Sequence, residues 1–133
     1  MADAPDGSGK LVLVVEDFED ARDMYAEFFR FRGYRVATAA TGPDAIERIA
    51  SERPDIILMD ISLPQMSGTE VARKIKSDPQ TRNIPVLALS AHAGEAHTRA
   101  AYDAGVDDYC PKPCSPEEVE ERLRALLLKK NPF

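Results

Sequence analysis

The chain has 133 residues, of which 44% are hydrophobic and 30% charged, and its formal net charge is −6. This length is that of one ordinary domain with a buried core, and the composition is that of a globular protein. The acidic charge argues against a nucleic-acid surface, and no apolar run approaches the ~20 residues that cross a bilayer. Residues 1–9 lack the order of a secretory signal. We therefore expect a cytoplasmic protein with a flexible tail over 1–9, one domain over 10–130 and a short tail over 131–133.

Short runs rich in Val, Ile and Leu alternate with segments of helical period along the chain. This alternation is typical of an α/β protein, in which helices cover both faces of a parallel sheet. The pattern predicts five strands, over residues 10–16, 34–38, 55–60, 84–90 and about 107–110.

Local signals mark the ends of the helices between these strands. Thr41, Ser67 and Ser115 each stand where a helix should begin, and Ser67 is followed at the capping-box distance by a glutamate. Gly33 and Gly105 each stand where a helix should end, because glycine adopts the left-handed conformation without strain. The sequence thus predicts a helix after every strand.

Apolar spacing predicts which side of each helix is buried. The fourth helix, over about 94–104, is rich in alanine, and we expect it to be the least firmly packed. The residues predicted to be buried are, in the first helix, Ala21, Met24, Tyr25, Phe28 and Phe31 or Arg32; in the second, Ile46, Ile49 and Ala50; and in the fifth, Val119, Leu123, Leu126 and Leu127.

Acidic and polar residues follow the carboxyl ends of the predicted strands. Glu16 and Asp17 come after the first strand, Asp60 ends the third, Ser90 ends the fourth and Lys112 follows the fifth. In open parallel sheets, ligands bind beyond these ends, at the point where the strand order reverses. Two carboxylates ~4 Å apart repel by about 4 kcal/mol at an effective dielectric near 20, so a cluster of three calls for a cation. A divalent metal ion together with Lys112 would balance the three negative charges.

Other reactive side chains lack partners at a useful spacing. Cys110 and Cys114 are too few for a disulfide framework or a zinc site, so we expect two reduced thiols. His97 is expected at the surface, and His92 at the rim of the site without a catalytic role. Glu19 and Asp20 are expected to be ordinary first-turn acids of the first helix.

Four ordered motifs resemble the receiver domain of two-component response regulators, and the resemblance covers residues from about 10 to 129. The motifs are Val14-Val15-Glu16-Asp17, Leu58-Met59-Asp60-Ile61-Ser62-Leu63-Pro64-Gln65-Met66-Ser67-Gly68, Ala88-Leu89-Ser90-Ala91 and Tyr109-Cys110-Pro111-Lys112-Pro113. The resemblance implies a flavodoxin-like, doubly wound sheet with strand order 2-1-3-4-5. A member of this family is itself a standard example of the rule for ligand position, so the strand order rests on the resemblance.

The resemblance also implies roles for the residues at the strand ends. Asp60 would be the phosphoacceptor, with Mg²⁺ held by Glu16, Asp17, Asp60 and the backbone carbonyl of Ser62. The group added to Asp60 would be a phosphoryl from a histidine kinase or a histidine phosphotransfer protein.

The remaining motif residues would bind that phosphoryl group or move in response to it. Lys112 would pair with its oxygens, and Pro113 would follow a cis peptide bond. Ser90 would donate its hydroxyl to it, and Tyr109 would move inward as the switch. The fourth helix, fifth strand and fifth helix would then change as a protein-binding face for a downstream target.

Other functions remain as alternatives. A haloacid-dehalogenase-like phosphatase needs a second aspartate two residues after the nucleophile, and Ser62 stands there. A nucleotide-binding fold needs a glycine-rich loop after the first strand, where this chain is acidic. A phosphorylation-independent pseudo-receiver is less favoured because every motif group is present. We expect a stand-alone receiver, a monomer or weak dimer that is not an enzyme acting on other molecules; a fragment of a longer regulator or hybrid kinase is the alternative.

Overall fold

A parallel sheet forms the centre of the protein in the computed structural model, which describes residues 9–91 and 94–130. The strands of the described residues are β1 Leu11–Val15, β2 Arg35–Ala39, β3 Ile56–Asp60, β4 Val86–Ser90 and β5 Asp108–Pro111. They are ordered β2-β1-β3-β4-β5 and all pairs are parallel. The predicted fold and strand order are confirmed, and each strand end lies within two residues of its predicted position.

Helices follow each strand in the described part of the chain. They are α1 Glu19–Phe31, α2 Gly42–Glu52, α3 Gly68–Ser77, α4 Glu95–Asp103 and α5 Pro116–Lys130. None of these helices is both long and apolar enough to span a membrane. Of the tail predicted over 1–9, residues 1–8 lie outside the described residues, as do the predicted tail at 131–133 and His92.

Two apolar clusters lie on the two faces of the sheet because successive side chains of a strand point to opposite faces. Leu13 of β1 packs into the cluster beneath α2, α3 and α4, whereas Val12 packs into the cluster beneath α1 and α5. Strands covered on both sides must be apolar throughout, which explains the uninterrupted runs seen in the sequence. Burying each such side chain contributes about 1.5–3 kcal/mol.

The predicted helix ends are confirmed by their capping contacts. Ser67 and Glu70 form a complete capping box at the start of α3. The Ser115 hydroxyl accepts a hydrogen bond from the Glu118 amide at the start of α5, at 3.1 Å. Gly33 and Gly105 have φ values of 93° and 106°, so both stops require the left-handed conformation that glycine tolerates.

The buried side of α1 agrees with the prediction at Tyr25 and in part at Ala21, Phe28 and Arg32, but not at Met24 and Phe31. Its core residues are Tyr25, Ala26 and Phe29, whereas Met24 is 40% exposed and Phe31 81% exposed. Phe29 packs edge-on against Phe28 and Tyr34, and this sets the rotation of the helix. Phe31 follows two residues later, about 200° around the helix, and therefore faces away from the sheet.

The predicted burial of the other helices is largely confirmed. In α5, Val119, Leu123 and Leu126 are buried and Leu127 is partly buried, whereas in α2 Ala50 is exposed and Ala45 is buried instead. Ala50 directly follows the buried Ile49, so a rotation of about 100° carries it to the helix edge. In α4 the only buried residue is Ala101, as expected for the least firmly packed helix.

Candidate functional site

The carboxyl ends of two neighbouring strands, β1 and β3, bring the predicted acids together. Asp60 is the last residue of β3, and Glu16 directly follows β1. Val15 pairs with Met59 in the sheet register, so the residues that follow each of them lie side by side. Carboxylate oxygens of Glu16, Asp17 and Asp60 all lie within 4.8 Å of one another. The predicted acidic cluster therefore exists at this edge of the sheet.

These three acids differ in their access to solvent. Glu16 is 3% exposed and Asp60 is 6% exposed, whereas Asp17 is exposed. Burying a carboxylate is costly unless other groups compensate its charge. The cluster is therefore an anionic pocket whose outer acid reaches water and whose inner acids do not.

Lys112 supplies the positive charge at this edge. Its Nζ donates a hydrogen bond to Asp60 Oδ2 at 2.8 Å and lies 3.5 Å from Glu16 Oε1. Its backbone amide donates to the Ser90 carbonyl at 2.8 Å, and a cis peptide bond links it to Pro113 as predicted. Burial lowers the pKa of Lys112, but the hydrogen bond and charge of Asp60, with the charge of Glu16, outweigh it and raise this pKa overall. The lysine is therefore a cation fixed beside the predicted phosphoacceptor.

Hydrogen bonds orient the Asp60 carboxylate. Its Oδ1 accepts from the Ser62 amide at 2.8 Å, while its Oδ2 accepts from Lys112. Each of these oxygens retains an acceptor site, because a carboxylate oxygen has two lone pairs. The arrangement presents an oriented carboxylate oxygen that could act as a nucleophile in the pocket.

Glu16 has an incompletely satisfied carboxylate. Its Oε2 accepts from the Phe18 amide at 3.1 Å, but its buried Oε1 has no hydrogen-bond partner among the described residues. The pKa of Glu16 is raised overall, chiefly by burial. The hydrogen bond from the Phe18 amide lowers this pKa, the charge of Asp60 raises it, the charge of Lys112 lowers it and the charge of Asp17 raises it a little. A buried acceptor left without a hydrogen bond costs about 1–3 kcal/mol. This oxygen, which has the Lys112 ammonium 3.5 Å away but no hydrogen bond, therefore fits a metal ligand in a cluster of hard carboxylate donors.

The two predicted switch residues lie on the last two strands. Ser90 ends β4 and is buried at the same edge as Asp60 and Lys112. Tyr109 of β5 is also buried, in the cluster beneath α4, with its ring centroid 6.4 Å from that of Tyr102. The Tyr109 side chain is therefore buried although β5 is an edge strand of the sheet.

Some predicted residues stay outside the site, and one contact was missed. His97 is exposed on α4, and Glu19 and Asp20 lie in the first turn of α1, as expected. Arg22 was not predicted: its Nη1 donates to the Glu16 carbonyl at 3.0 Å and so holds the loop after β1. The sequence feature that could have indicated this contact is an arginine about one turn into the helix that follows the loop of Glu16 and Asp17.

The prediction of two reduced thiols is wrong for this structure. Cys110 and Cys114 form a disulfide, with their Cα atoms 6.8 Å apart. The chain leaves β5 after Pro111 and turns back toward α5, which brings the two side chains together on the α1–α5 face. Composition rules for disulfide frameworks do not detect such a local pair.

Comparisons with known proteins show which family the chain belongs to. The family model "Response regulator receiver domain" matches residues 12–124. The response regulator MprA of Mycolicibacterium vanbaalenii is 39% identical over 121 residues, which are 91% of this chain and 52% of that protein. The chain thus spans about half the length of the curated relatives it matches.

Solved structures show the same architecture. The CheY-like receiver domain protein of Methanospirillum hungatei JF-1 has a TM-score of 0.88 at 28% identity, covering 94% of this chain and 98% of that one. The receiver domain of the sensor histidine kinase PA1611 of Pseudomonas aeruginosa PAO1, with a magnesium ion coordinated in its active-site cleft, has a TM-score of 0.83 at 32% identity, covering 90% and 98%. The chain therefore belongs to the response regulator receiver domain family of two-component signalling.

Proposed function

We propose that Asp60 accepts a phosphoryl group from a histidine kinase or histidine phosphotransfer protein, and that this modification changes the face through which the protein binds a downstream target. One observation carries the proposal: the oriented, buried Asp60 carboxylate lies 2.8 Å from the Lys112 ammonium and beside an unsatisfied Glu16 oxygen. Acids that serve only the fold gain nothing from lying this close together, because their like charges repel.

We assign the Mg²⁺ site to the carboxylates of Glu16, Asp17 and Asp60 and to the backbone carbonyl of Ser62. Mg²⁺ prefers oxygen ligands and keeps several waters, which suits a pocket that is open on the Asp17 side. When bound, the ion neutralises carboxylate charge and draws the oxygens of an incoming phosphoryl group into place. The magnesium ion in the PA1611 receiver domain supports this assignment.

The residues of the chain perform the transfer by position and charge. An Asp60 oxygen forms the bond to phosphorus while the bond from phosphorus to the donor's histidine nitrogen breaks, and that nitrogen keeps the electron pair. Lys112, fixed beside Asp60, stabilises the negative charge of the phosphoryl oxygens. The product is an acyl phosphate that water can later hydrolyse.

The phosphoryl group then biases the switch. It adds roughly −1.5 to −2 charge and three strong acceptors next to Ser90 and Lys112. The Ser90 hydroxyl turns to one of these acceptors, and the loop after β4 is drawn toward the site. Tyr109 then repacks against the loosely packed α4, which has only one buried residue. The face formed by α4, β5 and α5 changes as a result.

The setting of this chemistry is also part of the proposal. We propose a cytoplasmic protein, monomeric or weakly dimeric, that signals by protein–protein contact as a stand-alone receiver. Because the curated relatives are about twice as long, a receiver segment of a longer regulator is the alternative. The length of the complete gene product decides between them.

The acceptor assignment is tested with a small phosphodonor such as phosphoramidate in the presence of Mg²⁺. Intact-mass spectrometry should show one added phosphoryl group on the wild type and on Asp23→Asn, a matched change at an exposed aspartate of α1. Asp60→Asn should gain none, because it lacks the nucleophilic carboxylate. Equal labelling of Asp60→Asn would reject the assignment, and calorimetry without Mg²⁺ uptake would reject the metal site.

A further inference from the structure

The disulfide between Cys110 and Cys114 encloses the lysine of the site. Cys110 is in β5, Cys114 immediately precedes the Ser115 cap of α5, and Lys112 is the central residue between them. The bond therefore closes a five-residue ring that joins the end of β5 to the start of α5. Every movement of the Lys112 backbone is restricted by this ring.

Two hydrogen bonds and an ion pair with Glu16 also hold Lys112, and all join it to the proposed phosphorylation site. Its amide donates to the Ser90 carbonyl, and its Nζ donates to Asp60. Without the disulfide, the turn from Pro111 to Cys114 would depend on these contacts and on packing. Opening the ring therefore increases the freedom of the lysine that must meet the phosphoryl oxygens.

The two sulfurs differ in access. Cys110 is 1% exposed and packs in the cluster beneath α1 and α5, whereas Cys114 is only partly buried at the edge of that cluster. Cys114, the partly exposed member of the pair, is the one that an external thiol or disulfide would attack, and Cys110 is the neighbouring partner that would complete the exchange. A buried sulfur paired with an accessible one is the arrangement that thiol–disulfide exchange requires.

We propose that Cys110 and Cys114 form a reversible thiol–disulfide modification site, whose oxidation holds Lys112 beside Asp60 and whose reduction slows phosphoryl transfer to Asp60. The two cysteines are positioning residues, because they act through Lys112 and touch no reacting atom. The effect on transfer rests on the proposed function of Asp60, whereas the redox chemistry of the pair stands independently of it.

The oxidant is a disulfide, either of a small thiol such as glutathione or of a dithiol protein. The Cys114 thiolate attacks one sulfur of the oxidant, and the other sulfur leaves as a thiol after taking up a proton. The Cys110 thiolate then attacks the Cys114 sulfur, releasing the second thiol. The protein loses two electrons and two protons, and the oxidant gains them. A reducing dithiol reverses both steps.

The first experiment counts thiols in the full chain. After treatment with oxidised glutathione, alkylation and intact-mass spectrometry should find no modified cysteine, and after dithiothreitol they should find two. The Lys112 amide should exchange its hydrogen at least about 10-fold faster in the reduced form, because a local restraint is lost. Two alkylated thiols after oxidised glutathione, or equal Lys112 exchange in both forms, would overturn the proposal.

The second experiment measures transfer from phosphoramidate at saturating Mg²⁺. Reduction should lower the initial rate about 3- to 10-fold. This is less than the effect of removing a fixed charge altogether, because the reduced form keeps Lys112 but holds it less firmly. The Mg²⁺ dissociation constant should stay the same, because none of the proposed metal ligands lies in the ring. Equal rates for both forms would overturn the coupling, since a purely structural disulfide changes thermal stability alone.

Matched variants separate the causes. After oxidised glutathione and after dithiothreitol alike, Cys114→Ser should take up phosphoryl at the rate of the wild type in its reduced, dithiol form. Cys114→Ala serves the same purpose if the serine variant fails to fold. In Lys112→Ala, oxidised and reduced forms should react equally slowly, and a persisting redox difference would contradict action through Lys112. If Asp60 takes no phosphoryl group in any form while thiol count and Lys112 exchange respond as expected, the proposed function fails and the redox site stands.

Discussion

Two buried glutamates of this molecule are treated in opposite ways. Glu120 of α5 is 5% exposed, and both its oxygens are satisfied: Arg32 Nε donates to them at 3.0 and 3.2 Å, and the Tyr34 hydroxyl donates to Oε2 at 3.3 Å. Glu16 is equally buried, but one oxygen has no hydrogen bond and its other neighbours include two acids. Glu120 is thus fully paired within the fold, whereas Glu16 Oε1 has only the Lys112 ammonium 3.5 Å away, which leaves it able to bind the proposed metal ion.

The strongest way to break the site is to remove its cation. Lys112→Ala should slow phosphoryl transfer to Asp60 about 10²- to 10³-fold, because a preorganised charge stabiliser is lost. Initial rates with phosphoramidate and Mg²⁺ measure this. Lys129→Ala, at an exposed lysine of α5, is the control and should keep the wild-type rate. A Lys112→Ala rate within 3-fold of wild type would count against the assigned role.

Removing the charge of the paired glutamate, Glu120, should lower the stability of the protein. Glu120→Gln should lower the free energy of unfolding by about 2 kcal/mol, because Arg32 loses its charged partner; the part-exposed guanidinium keeps the cost below that of a fully buried pair. Urea denaturation measures it. Glu121→Gln at the exposed neighbouring position should be almost neutral, and equal effects of both variants would remove the distinction between the two glutamates.

The same cluster predicts a loss of stability at alkaline pH. Burial, with the charge and hydrogen bond of Glu120, raises the pKa of Tyr34 from 10.0 to about 12. A raised pKa gives stability that is complete below pH 10 and is lost as the pH rises through 12, by roughly 2 kcal/mol. Denaturation between pH 9 and 12 should show this loss in wild type and less of it in Tyr34→Phe. Tyr102→Phe, at an exposed tyrosine, is the comparison variant. If Tyr34→Phe lost as much stability at alkaline pH as the wild type, the loss could not be assigned to Tyr34.

The incomplete glutamate should respond with the opposite sign. Without Mg²⁺, Glu16→Gln should raise the free energy of unfolding by about 1 kcal/mol, because a buried charge beside two acids is removed. With Mg²⁺, the wild type should gain stability and Glu16→Gln much less. Glu19→Gln, in the exposed first turn of α1, should show neither effect. Destabilisation of Glu16→Gln in metal-free buffer would show that this carboxylate serves the fold.

The parts of this molecule that follow from local rules were predictable from its sequence. Uninterrupted apolar runs located the strands, and capping residues located the helix ends within a few residues. The convergence of Asp60, Glu16 and Lys112 followed because parallel strands share one carboxyl edge.

The parts that depend on tertiary packing were not predictable. The rotation of α1 is set by the fit of Phe29 against Tyr34, which spacing alone does not reveal. The bond between Cys110 and Cys114 depends on the direction of the turn after β5. The unsatisfied Glu16 oxygen depends on angles between groups from three strands, which no single stretch of sequence encodes.

The hydrogen bond between Lys112 and Asp60 joins residues 52 positions apart in the chain. During synthesis the amino-terminal three strands leave the ribosome with their acids before the lysine has been made. A growing chain can therefore collect the carboxylates early but gains its counter-charge only when the final strand docks at the sheet edge. The proposed competence to accept a phosphoryl group is therefore gained only after β5 and Lys112 have been made and have docked against the strands that carry the acids.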